Sequence, residues 1–242
     1  MTAASSFAGA RQALDISIDM ILIALMPSRS TGGRAGLRAT IAIDVVLLAP
    51  GRGELAVFAP HEERGRRALP HGAPRAGESL DAAASRIARG ALGAGVAWLE
   101  QVGTRMDGDV ATVLFAGLVA PPEGGDDSWI ARDRSASLGA TARREIDEAV
   151  TAAGIWLDRT PIAFRLLPGS FTLSELQEVY EAILGRSLHK ASFRRALQSA
   201  RLVMPTREWR SEGRGRPAQL YKFVPRAPKA SRRGVRFDWL TS

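Results

Sequence analysis

The chain contains no cysteine and only three histidines, three lysines and two tyrosines in 242 residues. Without cysteine there is no disulfide framework, no thiolate metal site and no thiol nucleophile. The histidines, His61, His71 and His189, are scattered and form no metal-ligand spacing. Long apolar runs are also missing. The longest, Met20 to Met26, spans seven residues, against the roughly 20 that a membrane helix needs. It makes a poor secretion signal, because Arg11 is the only basic residue before it, Asp15 and Asp19 interrupt its approach, and no small-x-small site follows. The chain therefore reads as cytoplasmic.

What is present is a chain long enough for one large or two modest domains, with an ordinary apolar content of 45%. Its charge is unevenly spread. Residues 1–160 hold 17 arginines against 19 acidic residues, a net of −2, whereas residues 161–242 hold 16 basic and 6 acidic residues, a net of +10. All three lysines, Lys190, Lys222 and Lys229, fall in the second part. A basic region appended to a near-neutral one suggests a polyanion partner, most simply DNA or RNA. The bland alternative is a solvated basic surface.

Residues 1–38 read as an N-terminal extension, either an arm for packing or dimerisation or a disordered leader. Residues 39–48 and 54–59 are strand-like around a Pro-Gly-Arg-Gly turn. Leu80, Ala84, Ile87 and Ala91 recur at helical spacing after Ser79, a plausible N-cap. Val96–Val102 and Val110–Val119 read as strands, and Ala140–Ala153 as a helix. Near Thr160 a second part begins. Thr160-Pro161 is expected to open a short helix through Leu167. The capping box Thr172-Leu-Ser-Glu175 opens another, ended by Gly185. A third helix carries Phe193, Leu197 and Ala200 inward, and strands at 202–209 and 218–224 flank a Gly/Arg-rich tip. Helix, helix, turn, helix and β-hairpin is the winged helix-turn-helix order.

Gly72 to Gly93 reads GAPRAGESLDAAASRIARGALG. It resembles the Nudix box, G-x(5)-E-x(7)-R-E-U-x-E-E-x-G, with Gly72, Glu78, Arg86 and Gly93 at matching positions. Where that box places three metal-binding glutamates, this chain has Ile87, Gly90 and Ala91. Hard divalent cations need oxygen ligands, which these side chains lack. The segment LPHG at 69–72 also departs from the usual LPGG. The resemblance implies a Nudix-like α/β/α sandwich over 39–158, kept for binding without catalysis or cofactor. Arg67, Glu78 and Arg86 are its candidate effector contacts. The residues themselves favour a structural reading of Glu78 and Arg86, as groups fixing loop and helix through hydrogen bonds, and read the neighbouring arginines as solvated. The rival reading is a residual pyrophosphatase that takes carboxylates from Glu100, Asp107 or Asp109, with the basic part as a nucleic-acid tether.

The run TPIAFRLLPGSFTLSELQEVYEAILGRSLHKASFRRAL, followed by GRGRPAQLYKF, is similar to the C-terminal domain of the Nudix-related transcriptional regulators of NAD metabolism. The resemblance implies a DNA-binding winged helix over 159–225, a repressor function, a homodimer on a palindromic operator, and an effector such as ADP-ribose or a related nucleotide or sugar phosphate. The third helix would read DNA through His189, Lys190, Ser192, Arg194, Arg195 and Gln198. Arginine can hold guanine and glutamine adenine through paired hydrogen bonds, while lysine and serine anchor phosphates. Arg207 and Arg210 could meet phosphates. Arg214 and Arg216, on the Gly/Pro tip, could enter a narrow A·T minor groove. An RNA-binding role is disfavoured by the lack of stacked aromatic platforms. The basic tail 226–242 reads as a further DNA arm or a docking segment.

Overall fold

A computed structural model describes residues 39–51, 53–62, 65–120, 127–211 and 217–225. The N-terminal extension, Arg64, Arg214, Arg216 and the tail lie outside the described residues. Eight strands and four α-helices follow in chain order among those described: β1 (Thr40–Pro50), β2 (Leu55–Phe58), β3 (His71–Gly72), α1 (Leu80–Leu92), β4 (Trp98–Asp107), β5 (Val110–Leu118), β6 (Trp129–Ala131), α2 (Ala140–Arg159), α3 (Leu173–Leu184), α4 (Lys190–Ala200), β7 (Val203–Arg210) and β8 (Ala218–Phe223). Short 3-10 turns occupy Arg132–Leu138 and Ile162–Leu166.

The large sheet runs β4-β5-β1-β2-β6, with β3 also paired to β1. Strands β1 and β5 are parallel over nine residue pairs, from Thr40–Val110 to Leu48–Leu118. Alternation along β1 builds two cores, because successive side chains point to opposite faces. Ile43, Val45 and Leu47 join Val113 and Phe115 against Ala83, Ala84 and Ala88 of α1. Val46 and Leu48 join Leu114, Ala116 and Leu118 against Ile146, Ala149, Val150 and Ala153 of α2. One helix on each face gives the expected α/β/α sandwich. The alanine face of α1 brings that helix close to the sheet.

The second core does not stop at α2. Phe164, Leu166, Phe171, Leu176, Tyr180 and Phe193 belong to the same apolar cluster, so α2 is packed on both sides. Phe164 stacks on Phe223 of the hairpin at 4.5 Å, and Tyr180 meets Phe193 edge-on at 5.4 Å. The helices, turn and β7–β8 hairpin make the winged helix predicted from the sequence.

Some local expectations differ from the structure. Ala91 is exposed, and Ala83 and Ala88 are buried instead, so the apolar face of α1 is rotated to run through Ala84, Ile87, Ala88 and Leu92. Helix α2 runs six residues past Ala153, to Arg159. Thr160 ends α2 rather than capping a new helix: its N–H and its hydroxyl both donate to the Trp156 carbonyl, at 2.8 and 2.9 Å. Pro161 then leads into a 3-10 turn, not an α-helix.

Candidate nucleic-acid interface and effector face

Two of the expected effector residues lie in the loop ahead of α1 and on its second turn. Ser79 caps the helix by accepting from the Ala82 N–H, and Gly93 closes it in the left-handed conformation at φ 67°. Within that frame Arg86 donates Nε to Glu78 Oε1 and Nη2 to Glu78 Oε2, both at 2.8 Å. The same Nη2 reaches the Ala73 carbonyl at 3.0 Å, and Glu78 Oε2 also accepts from the Arg75 N–H at 2.8 Å. The Arg86 guanidinium and the Arg75 N–H hold the Glu78 carboxyl down to about 2. This fork-to-fork pair pins the loop to the helix. Both residues are thereby engaged within the protein, as the structural reading of them anticipated.

Arg67 is similarly occupied. It donates to the Ala59 carbonyl at 3.1 Å and to the Asp127 carboxylate at 2.7 Å, with a further contact to the Asp127 carbonyl. Asp127 also meets His61 Nε2 at 3.1 Å, and these partners, Arg67 first, lower its pKa. Arg67 therefore joins the segment before β3 to the one before β6, a pairing across 60 residues that no local pattern announces.

The positions of the missing glutamates are plain. Ile87 is half-buried and Gly90 and Ala91 are exposed. A Cβ at Gly72 would lie 3.1 Å from Ile87 Cδ1, so the isoleucine packs over the loop glycine. The carboxylates considered as substitutes are not assembled. Glu100 and Asp107 are seven residues apart on β4, roughly 23 Å at 3.3 Å per residue. Among the described residues no group of three His, Cys, Asp or Glu could hold a metal ion.

The winged helix is organised differently. Gly185 caps α3 at φ 65°. The turn to α4 is tied down by Gln177 Nε2, which donates to the Leu188 carbonyl at 2.9 Å, and by Glu181, which accepts from the Leu188 N–H at 2.7 Å. Helix α4 buries Phe193 and Leu197. Its other side exposes Lys190, Arg194, Arg195 and Gln198, with His189 just ahead of the helix and Ser192 half-buried. His189 Nδ1 and Ser192 Oγ share a hydrogen bond at 3.2 Å. No acidic residue lies on this helix. The structure thus gathers the six expected helix residues on or beside one element. It also adds Arg201, exposed at the C-terminal end in the left-handed conformation at φ 50°.

Of the hairpin residues, Arg207 is exposed as expected. Arg210 is not available in the same way. It donates Nη1 to Glu175 Oε1 at 2.6 Å and Nη2 to the Ser170 carbonyl at 3.4 Å. Glu175 is also the N3 residue of the capping box, accepting from the Thr172 N–H at 2.6 Å while Thr172 Oγ1 accepts from the Glu175 N–H at 3.1 Å. Arg210 therefore fastens β7 to the start of α3. The expectation that it meets phosphates runs against this geometry, since leaving Glu175 would strip a helix cap of its ion pair.

The description "NrtR DNA-binding winged helix domain" matches residues 163–223. The ADPR responsive transcriptional repressor NtrR of Acinetobacter baylyi is 45% identical over 65 residues, 27% of this chain and 26% of that protein. The alignment thus spans about a quarter of that repressor's length. Among solved structures, Shewanella oneidensis NrtR complexed with a 27mer DNA superposes with a TM-score of 0.64 at 25% identity, over 76% of this chain and 93% of that one. A MutT/nudix family protein from Enterococcus faecalis gives a TM-score of 0.57 at 18% identity over 91% and 100%, which speaks to fold alone. Residues 163–223 match the NrtR DNA-binding winged helix family, and the described chain, a Nudix-like domain followed by a winged helix, resembles Shewanella oneidensis NrtR in architecture.

Proposed function

We propose that this chain is a ligand-responsive transcriptional repressor. Residues 159–225 bind duplex DNA, and residues 39–158 sense ADP-ribose or a related nucleotide without hydrolysing it. The observation that carries the reading is the NrtR-type winged helix, whose α4 exposes three cations and no acid. Lys190, Arg194, Arg195 and Gln198 lie in the groove, with His189 and Ser192 at the entry of the helix. Arg207, with Arg214 and Arg216 of the tip, works alongside. Two copies on a palindromic operator match the two-fold symmetry of helix-turn-helix readers.

The absence of oxygen ligands at Ile87, Gly90 and Ala91 supports a sensor that has lost catalysis. The repressor named above is ADPR responsive, and that class of effector suits a Nudix-like fold. Because α2 shares its core with both the sheet and the winged helix, a hinge inside the chain would expose apolar surface. The effector therefore acts by changing how two copies are spaced on DNA, an equilibrium it can shift only by preferring one arrangement.

The test is a selection of bound sequences from a random duplex pool by the full-length chain, repeated with ADP-ribose. A palindromic consensus whose retention changes with ADP-ribose is the expected result. Failure to retain any duplex overturns the reading. Mg²⁺-dependent hydrolysis of ADP-ribose well above a protein-free control, and abolished by chelator, would replace the sensor with an enzyme.

A further inference from the structure

Helix α4 ends on Arg201 at φ 50°, in the left-handed conformation. Among the described residues it is the one residue other than glycine with a positive φ, and the seven other such positions are all glycines. Side chains rarely adopt this conformation, because Cβ crowds the following carbonyl oxygen. Glycine has no Cβ and takes it freely. The chain follows that rule where α1 and α3 stop, at Gly93 and Gly185. At the end of α4 the turn itself is fixed from both sides. Leu197 on the helix is fully buried, and Leu202 just past it is buried and accepts at its carbonyl from the Val224 N–H at 2.9 Å. Between these anchors the Arg201 N–H donates to the Gln198 carbonyl at 3.1 Å. The backbone therefore requires a left-handed residue at 201, and an arginine stands there in place of the glycine that fits without strain.

The guanidinium is not occupied inside the protein. Arg201 is exposed, and its side chain makes no hydrogen bond or ion pair among the described residues. Its place on the helix is shared with other exposed groups. At about 100° per residue, Lys190, Arg194, Gln198 and the Cα of Arg201 fall within a sector of about 80°. They make one row of three turns, roughly 16 Å long at about 1.5 Å per residue. Lys190, Arg194 and Gln198 are exposed as well, and α4 carries no acid. A cation at a helix C-terminus also interacts with the helix dipole. That interaction is open to any basic residue in the last turn, without left-handed strain, yet the last turn of α4 holds none. The dipole therefore does not explain why the strained position carries the charge.

We propose that Arg201 binds a phosphate of the DNA backbone and fixes the position of α4 on the duplex. This rests on the DNA-binding reading above. The planar guanidinium can hold two phosphate oxygens through parallel hydrogen bonds. The buried leucines on either side keep its Cα at a set point where the exposed row ends. Phosphate contacts set register and carry no sequence information. Arg201 thus sets where α4 sits and leaves base reading to Arg194, Arg195 and Gln198. The contact releases a counterion, so it weakens as salt rises.

The experiment titrates full-length wild type, Arg201→Gly, Arg201→Lys and Arg89→Ala at several salt concentrations. Each meets one duplex that the wild type selects from a random pool and one unselected duplex. Arg89 is exposed in the last turn of α1 and controls for overall charge. R201G is expected to lose roughly tenfold at about 0.1 M salt on both duplexes, with its salt slope lower by about 1. Its melting temperature stays level or rises, since glycine relieves the left-handed turn. R201K keeps the slope and most of the affinity, because lysine supplies the same charge. R89A keeps both. R201G binding as tightly as wild type overturns the proposal alone. So does a loss with an unchanged slope, or one confined to the selected duplex, which would make Arg201 a base reader. An equal loss in R89A would reduce the effect to net charge, and a lowered melting temperature of R201G would assign the guanidinium to the helix end; either overturns the proposal. A wild type that retains no duplex overturns both this proposal and the function it rests on.

Discussion

Helices α1 and α4 are of similar length and both carry arginines, yet the two use charge in opposite ways. On α1, Arg86 is held by Glu78 with two bonds at 2.8 Å. On α4, Lys190, Arg194 and Arg195 stand exposed on a helix without acids. The same contrast runs through the two regions. In the Nudix-like part Arg67 meets Asp127, Arg105 meets Asp44 and Glu145, and Arg132 meets Asp147. In the winged helix the Arg210–Glu175 pair fastens β7 to α3, while the remaining exposed cations face outward. Paired charges fix loops to elements at little net gain in stability. Cations gathered on one face without acids supply the phosphate term of nucleic-acid binding. Arg67, Arg86, Arg105 and Arg132 build this protein, and Arg194 and Arg195 are presented on its surface.

The largest effect should come from beneath the exposed cations of α4. Phe193 is fully buried and meets Tyr180 at 5.4 Å. Phe193→Ala should cost about 3–5 kcal/mol of folding stability through the cavity it leaves, measured by denaturant unfolding. A loss under about 1 kcal/mol would mean that this core does not hold α4 and its exposed cations in place.

Next come the presented arginines. Arg194→Ala or Arg195→Ala should each cost about 1–3 kcal/mol on the selected duplex if the guanidinium reads a guanine, and less on random DNA. Arg214→Ala and Arg216→Ala should weaken binding most where the site is A·T-rich. Arg86→Ala should leave DNA affinity unchanged and instead lower the melting temperature, because its partner Glu78 would lose its fork. Equal losses for α1 and α4 variants on every duplex would erase the distinction between building and presented charge.

Much of this was legible from local pattern. The capping box at Thr172 and Glu175, the cap at Ser79 and the glycine stop at Gly185 are short-range chemistry, and each appears where the spacing put it. The winged-helix order followed from such signals, while the Nudix-like sandwich was what the resemblance of Gly72–Gly93 to the Nudix box implied. What escaped was long-range. Strands β3 and β6 have only two and three residues, too few to show a period. The apolar face of α1 was misplaced toward Ala91 because alanine alternates with polar residues on several faces of that helix. Arg210 read as a phosphate contact because Glu175, 35 residues earlier, gives no sign of its partner. Arg201 gave no signal either, because the left-handed turn that ends α4 falls on an arginine, where α1 and α3 stop on glycine.

The smallest effect separates two building carboxylates that titrate in opposite directions. Buried Glu145 of α2 lies beside half-buried Asp44 of β1 and Arg105 of β4, and Arg105 Nη2 contacts both acids, lying 3.1 Å from Asp44 Oδ2. Burial first, and then the neighbouring Asp44 carboxylate, push the Glu145 carboxyl up to about 7 from 4.5, against the opposing pull of Arg105. Its folded form therefore holds a proton more tightly than its unfolded form. The stabilisation this gives is complete below about 4.5 and is lost as pH rises through about 7. Glu78 has the reverse sign: with its carboxyl held to about 2, its contribution is present above about 4.5 and lost as pH falls toward 2. Melting temperatures of wild type and Glu145→Gln should therefore diverge in favour of the variant between pH 5 and pH 8. Those of wild type and Glu78→Gln should keep a constant offset over that interval. Asp44→Asn removes the second carboxylate and should shrink the Glu145 effect. A wild-type minus Glu145→Gln difference that stays flat over that range would mean that Arg105 keeps Glu145 ionised, and that all the arginine–carboxylate contacts of the Nudix-like part behave alike.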